Sequence, residues 1–182
     1  MKKIAAFLCV VLLAGTAFAA DFVLKSPQLQ EGGQLGMEQV FAGYGCTGEN
    51  ISPALSWEGA PGETKSFAVT VYDPDARKGN GWWHWVIFNI PADVNSLLQN
   101  AGDLASALAP KGSAQVKSDS GKPGYSGACP PAGDKPHRYI FTVYALDVEK
   151  MPMDENTSGA EAGPNLDQHA IARAAITVTY SR

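Results

Sequence analysis

The chain has 182 residues, a formal net charge of −4 and 45% hydrophobic residues. This length fits one domain with a substantial core, and the acidic balance gives no electrostatic basis for binding nucleic acid or an anionic membrane. The 19 glycines, the 12 prolines and the short aromatic runs favour a loop-rich β protein over a helical one.

The first residues have the three parts of an export signal. Lys2 and Lys3 are basic, residues 4–14 are apolar, and residues 17–19 read A-F-A, an A-x-A cleavage site. The apolar stretch is too short to remain as a stable membrane anchor. We therefore expect residues 1–19 to be a cleaved signal peptide and residues 20–182 to be a single domain, periplasmic or secreted.

The cysteine count changes once the signal peptide is removed. Cys9 leaves with it, and Cys46 and Cys129 remain. Two cysteines in an exported chain suggest one disulfide. Two separate buried thiols are the alternative that the sequence leaves open.

Strands dominate the first two thirds of the chain. FVLKS begins as an edge strand, and a short strand follows the turn-forming residues of GENISPALSW. KSFAVTVYD is a strong strand that ends before Pro74, and HWVIFNI is another that ends before Pro91. Residues 97–128, rich in Gly, Ala, Ser and Lys, predict long loops with one short strand at most.

The last third holds the remaining elements. HRYIFTVYALD is a third strong strand, and NLDQHAIARAAI shows helical spacing with Asn165 as its N-cap. ITVTY then forms a final strand. This order of elements predicts a mostly antiparallel β domain.

Three strong strands each carry a polar residue where an apolar face ends. Side chains of a strand alternate between its two faces, and each polar residue shares the apolar face of its own strand. Asp73 lies on the face of Phe67, Val69 and Val71, and His84 lies on the face of Val86, Phe88 and Ile90. His137 lies on the face of Tyr139, Phe141, Val143 and Ala145. Asp73 and His84 meet if their strands pair antiparallel, and His137 joins them if its strand runs parallel to that of His84. His84 is the leading functional residue, with Asp73 as its expected partner.

Such a rim combines a carboxylate, two imidazoles and the phenol of Tyr139 with the stiff pair Pro130 and Pro131. A few polar groups on an apolar concavity are typical of small-molecule sites. Taken singly, each residue has a structural explanation: a strand-end histidine is more often structural, and Asp73-Pro74-Asp75 is more often a turn. Their convergence at one end of the sheet favours a functional site.

Four segments together resemble the phosphatidylethanolamine-binding protein family, also called Raf kinase inhibitor-like, in its bacterial branch. They are YGCTGENISPALSW, SFAVTVYDPDA, GWWHWVIFNIP and YSGACPPAGDKPHRYIFTVYALD. The resemblance implies an antiparallel β-sandwich with peripheral short helices and a small anion-binding pocket. By motif, the pocket residues are Asp73, Asp75, His84, Pro130, Pro131, His137 and Tyr139. Arg77 departs from the commoner proline after DPDA in this loop.

The resemblance favours an exported protein that binds a small anion (phosphate, a phosphoethanolamine-like group or a carboxylate), with a regulatory or protein-interaction role and a possible protein partner. No cofactor, metal ligand or catalytic residue is assigned. The alternative is a periplasmic, phosphoesterase-like hydrolase that uses an Asp–His pair, although no G-x-S-x-G elbow is present. A metal site of Asp73, Asp75, His84 and His137 has suitable ligand types but no supporting spacing.

Overall fold

The protein was analysed as a computed structural model that describes residues 21–182, so the predicted signal peptide lies outside the described residues. Strands form most of its regular structure. In chain order they are β1 (Val23–Lys25), β2 (Ala42–Gly43), β3 (Cys46–Thr47), β4 (Leu55–Glu58), β5 (Ser66–Asp73), β6 (Trp82–Pro91), β7 (Ser96–Leu97), β8 (Ala114–Gln115), β9 (His137–Leu146) and β10 (Ala170–Tyr180).

The central element is a five-stranded sheet in the order β10-β9-β5-β6-β8, with antiparallel neighbours throughout. A smaller sheet of β1, β4 and β7 packs over one face of it, and β2 and β3 form a separate hairpin. Leu55 and Trp57 of the small sheet share a buried cluster with Val69 and Phe141 of the large one. The predicted antiparallel β-sandwich is confirmed.

The peripheral helices are short. Two single 3-10 turns, Met37–Gln39 and Leu104–Ser106, lie in loops, and Ala76–Gly79 forms a tight turn after β5. The longest helix, Gly159–His169, covers the other face of the large sheet, where Leu166 packs near Val86 and Phe88. No helix within residues 21–182 is both long and apolar enough to cross a membrane.

The predicted start of this helix is wrong. Ser158 is the N-cap, and its side chain and that of Glu161 bond each other's backbone N–H in a capping box. Asn165 lies inside the helix, where its side-chain amide donates to the Glu161 carbonyl at 2.8 Å. The helix also ends at His169, and the alanine-rich residues that follow belong to β10, because β9 offers them a complete antiparallel partner.

The prediction that side chains alternate strictly between the two faces of β6 is wrong at two points. The β5–β6 register shifts between Phe67 and Val69 and again between Val71 and Tyr72. An extra residue in a strand moves the following side chains to the opposite face. Val86 and Phe88 therefore face the helix, whereas Ile90 returns to the core shared with the small sheet.

Cys46 and Cys129 form a disulfide, with their Cα atoms 5.9 Å apart. The prediction of one disulfide is confirmed, and the alternative of two buried thiols is not what the structure shows. The bond joins β3 to the loop that continues into Pro130 and Pro131. It closes a segment of 83 residues and thereby fixes the β2–β3 hairpin beside that loop.

Candidate functional site

A cavity of about 680 Å³ opens where β5 ends and where β6 and β9 begin. Both β6 and β9 are antiparallel to β5, so they run parallel to each other, as the convergence of His84 and His137 requires. Six of the seven predicted site residues line this cavity: Asp73, His84, Pro130, Pro131, His137 and Tyr139. The structure brings these six together.

Asp73 is the buried anchor of the cavity, with only 2% of its surface exposed. Its Oδ2 lies 2.8 Å from Nδ1 of His137. Its Oδ1 accepts hydrogen bonds from the backbone N–H groups of Asp75, at 2.8 Å, and Ala76, at 3.1 Å. An ionised carboxylate only accepts hydrogen bonds, so Nδ1 of His137 carries the proton and Nε2 is left to face Asp134 at 3.5 Å.

His84 has a different partner from the one predicted. Its Nδ1 lies 2.7 Å from the carbonyl oxygen of Ser126. Because a carbonyl cannot donate, Nδ1 is protonated and Nε2 of the neutral ring is an acceptor. The β5–β6 register shift explains the difference, since Val71 pairs with Trp85 and Tyr72 with Trp83, which leaves His84 in the bulge between them.

Two buried polar atoms of the cavity have no protein hydrogen-bond partner in the described part of the chain. They are Nε2 of His84 and the hydroxyl oxygen of Tyr139. The two rings meet edge to face with their centroids 5.2 Å apart. An unsatisfied buried polar group costs about 1–3 kcal/mol, so two of them side by side mark the place where a ligand can compensate.

The protonation of these two groups follows from their burial. Desolvation lowers the pKa of His84 below its ordinary value of 6.5, against the opposing effects of the Ser126 carbonyl and the Asp73 charge. Burial, assisted by the charge of Asp73, raises the pKa of Tyr139. At neutral pH the cavity therefore presents a neutral imidazole acceptor beside a phenol that keeps its proton.

Asp75 lies outside the cavity lining, contrary to the position expected of a ligand residue. Its carboxylate receives both Nε and Nη2 of Arg138, each at 2.8 Å, and also the Arg138 backbone N–H at 2.9 Å. The guanidinium lowers the pKa of Asp75 to about 2. Because Arg138 follows His137 directly, this pair ties the turn after β5 to the start of β9.

The three tryptophans around His84 have separate positions. Trp85 is fully buried, and its Nε1 donates to the side chain of Gln115 at 2.6 Å. Trp83 packs so closely against the helix that Gly159 and Gly163 leave no room for a Cβ atom. Trp82 alone of the three lines the cavity, and the other two pack into the structure around it.

Sequence reasoning missed two cationic residues of the cavity. Arg77 and Lys78 line it, and both adopt positive φ, of 50° and 58°. Proline is restricted to a φ near −65°, so the turn has a shape that the commoner proline cannot adopt. The arginine at position 77, where proline is commoner, was the signal available in the sequence. It did not indicate that the Arg77 side chain would line the cavity.

The metal-site hypothesis lacks a ligand set. Within residues 21–182, no group of three or more His, Cys, Asp and Glu side chains is placed to hold a metal ion. Asp75 is turned toward Arg138, and Nδ1 of each histidine is engaged by a protein acceptor. The remaining donors do not converge on one point.

The protein is a sandwich of antiparallel sheets with a cavity at its strand ends, and the floor of that cavity carries the polar groups of His84 and Tyr139. The family model described as phosphatidylethanolamine-binding protein matches residues 25–181. The chain belongs to this family. It is 48% identical over 180 residues to the Escherichia coli UPF0098 protein YbcL (99% of this chain, 98% of that one).

Two further similarities agree with the assignment. The chain is 51% identical over 158 residues to the Escherichia coli UPF0098 protein YbhB, covering 87% of this chain and 99% of that one. The crystal structure of Escherichia coli YbcL superposes with a TM-score of 0.87 at 51% identity, covering 90% of this chain and 99% of that one.

The Asp75–Arg138 pair predicts a pH-dependent stability. The folded pKa of Asp75 is lowered from 3.8 to about 2, so its stabilisation is complete above pH 3.8 and is lost as the pH falls toward 2. Discounted for solvent screening at a side chain that is 32% exposed, we expect Asp75→Asn to cost about 1 kcal/mol at neutral pH. Urea unfolding measured between neutral pH and about pH 2 tests this.

Asp93→Asn is the control, because Asp93 is an exposed carboxylate on a distant loop. It should leave the free energy of unfolding within error of wild type at every pH. If the free energies of unfolding of Asp75→Asn and wild type differ as much at about pH 2 as at neutral pH, the stabilisation does not come from the lowered pKa of Asp75.

Proposed function

We propose that the protein is an exported small-anion-binding protein whose cavity takes a phosphate-like group or a small carboxylate. One observation carries the proposal: Nε2 of His84 and the hydroxyl of Tyr139 are buried at the same cavity without a hydrogen-bond partner among residues 21–182. The family description names phosphatidylethanolamine, and a phosphoethanolamine-like headgroup would present the same phosphate chemistry.

The chemistry of the two groups is complementary to a protonated or partly protonated anion. The Tyr139 phenol donates to one ligand oxygen, and neutral His84 accepts from a ligand O–H through Nε2. When His84 is protonated, Nε2 donates instead and adds a positive charge. Asp73 directs its two oxygens to His137 and to backbone N–H groups, so neither oxygen needs a ligand as its partner.

The hydrolase alternative has one observation in its favour, the Asp73–His137 hydrogen bond of 2.8 Å, which orients an imidazole as a general base is oriented. Against it, the cavity's cysteine, Cys129, is in a disulfide and supplies no thiolate nucleophile. We therefore favour binding over turnover. An aromatic phosphomonoester that is hydrolysed by the wild type but not by His137→Gln would reverse this preference.

A regulatory or protein-interaction role would act through the rim of the cavity. Tyr44 and Lys78 are exposed there, so a bound ligand and a protein partner would meet at the same surface. Such a role requires that partner capture depends on His84, which a pull-down comparing wild type with His84→Gln measures.

Removing only the hydroxyl of Tyr139 separates binding from stability. We expect Tyr139→Phe to weaken inorganic phosphate binding about tenfold, the effect of one lost hydrogen bond to an anion. The melting temperature should not fall, because the hydroxyl has no protein partner to lose. Isothermal titration calorimetry and thermal unfolding give the two readouts.

Tyr125→Phe is the matched control, since Tyr125 is also buried but its hydroxyl donates to the Gln39 carbonyl at 2.8 Å. This variant should lose stability and keep its affinity for phosphate. Equal affinity of Tyr139→Phe and wild type would exclude the hydroxyl from the ligand site.

The pH dependence of binding tests His84. Sulfate keeps a constant charge from about pH 8 to about pH 5, so any change in its affinity reports on the protein. An anion prefers protonated His84, so affinity should rise as the pH falls. Because the pKa of free His84 lies below 6.5, the rise should continue below pH 6.5.

Other ionisable groups near His84 are Asp73, Asp119, His137 and Tyr139, and the same cavity is also lined by Tyr44, Arg77, Lys78 and Asp134. His84→Gln should flatten the sulfate profile, whereas His137→Gln should leave a slope. A flat wild-type profile over this range would count against a histidine ligand.

We also propose that the chain is exported and cleaved after residue 19. The Cys46–Cys129 disulfide supports this, because such bonds persist in oxidising compartments. Intact-mass measurement of protein from the periplasmic fraction of a bacterial host should show residues 1–19 missing and a mass two hydrogens below that of the reduced chain. Retention of those residues, or alkylation of both cysteines without prior reduction, would contradict the proposal.

A further inference from the structure

We propose that Arg77 and Lys78 form a second anion subsite at the rim of the cavity, so that the preferred ligand carries two linked anionic groups. The proposal rests on the proposed function, because the first anionic group occupies the floor at His84 and Tyr139. It adds a ligand class, such as a diphosphate, and identifies Arg77 as a specificity-determining residue.

Arg77 differs from the other arginines that the structure describes. The guanidinium groups of Arg138, Arg173 and Arg182 each lie within 2.9 Å of a protein acceptor. The nearest carboxylate oxygen to the Arg77 guanidinium is Oδ2 of Asp119, at 3.5 Å, which also accepts the Trp83 backbone N–H. Arg77 therefore lines the cavity with donors that no close protein acceptor occupies.

Although it lacks close hydrogen bonds, the guanidinium is held in place. Its central carbon lies 4.2 Å from the ring centroid of Trp82, a cation–π contact. Stacking on the ring leaves the N–H edges of the guanidinium available, and these edges suit bidentate binding of phosphate oxygens. Trp82 in turn lies 6.3 Å from His84 between ring centroids, so the rim cation and the floor imidazole flank one indole.

The backbone of the turn points to function as well. Two consecutive non-glycine residues in the left-handed region cost about 1–2 kcal/mol each, and Arg77 and Lys78 both lie there. The surrounding structure enforces this conformation, since Asp73 bonds the N–H of Ala76 and Ala76 accepts from Gly81 at 3.1 Å. Strain that is held in this way is typical of ligand-binding segments.

The charges at the rim favour a particular placement of the second group. Arg77 and Lys78 are adjacent and exposed, whereas the carboxylate of Asp134 lies beside His137 on another part of the cavity lining. The Asp119 carboxylate, 3.5 Å from the Arg77 guanidinium, offsets part of the positive charge, but two cations against one carboxylate leave the turn after β5 net positive. An anionic substituent extending from the floor is therefore attracted to this turn and repelled from Asp134. This asymmetry gives the ligand a defined direction in the cavity.

The experiment compares inorganic phosphate, pyrophosphate and tripolyphosphate by isothermal titration calorimetry at constant ionic strength. We expect wild type to bind at least one of the two linked anions about tenfold more tightly than phosphate, the effect of one charge-assisted contact. Arg77→Gln should abolish this preference and change phosphate affinity less than about threefold. Arg77→Lys, which keeps the charge but not the planar fork, should retain part of it.

Lys150→Gln is the matched control, because it removes one exposed positive charge that does not line the cavity. It should keep the wild-type preference, and thermal unfolding of each variant verifies that it is folded. Equal affinity of wild type for all three anions would overturn the rim subsite while leaving the proposed function intact. An equal loss of phosphate and linked-anion affinity in Arg77→Gln would overturn it too, because it would reveal a general electrostatic effect. Failure of wild type to bind any of the three would overturn both proposals.

Discussion

The carboxylate of Asp73 is the constraint on which the rest of the site depends. One of its oxygens fixes the tautomer and orientation of His137, and the other holds two backbone N–H groups of the turn after β5. A buried carboxylate is costly unless its lone pairs are occupied. Because three protein hydrogen bonds satisfy both oxygens, Asp73 organises the cavity without needing a ligand as its partner.

The polar groups on the floor of the cavity, unlike Asp73, are not fully hydrogen-bonded within the protein. His84 has one nitrogen fixed by Ser126 and the other without a protein partner, and the Tyr139 hydroxyl beside it is likewise unpaired. In the proposed function, a bound anion supplies the missing hydrogen bonds and offsets the unfavourable free energy of these two groups. The polar residues of the site therefore fall into two groups. Asp73, whose hydrogen bonds are made within the protein, supports the site, whereas His84 and Tyr139 carry the unpaired atoms that are proposed to contact the ligand.

Local pattern in the sequence predicted the strong strands, the antiparallel class and the convergence of Asp73, His84 and His137, because apolar runs and polar strand ends are local features. The full set of seven predicted site residues, six of which line the cavity, came from the family resemblance. The sequence did not predict the two register shifts along β6, since a bulge depends on which partner residues face each strand. Asp75 was misplaced for a similar reason: only the neighbouring strand brings Arg138 beside it. The helix start was readable, because Ser158 and Glu161 have the spacing of a capping box, whereas the termination at His169 depends on pairing with β9.

Asp73 links the turn at the rim to the wall of the cavity. The same carboxylate orients His137 beside the floor and anchors the strained turn that carries Arg77 to the rim. The opposite wall is equally restrained, because the disulfide holds Cys129 and the Nε of Arg182 donates to the Pro130 carbonyl at 2.6 Å. With both proposed subsites in place, a cavity restrained on both sides would discriminate ligands by the separation of their charged groups, because a ligand of the wrong length would satisfy one subsite and leave the other unfilled.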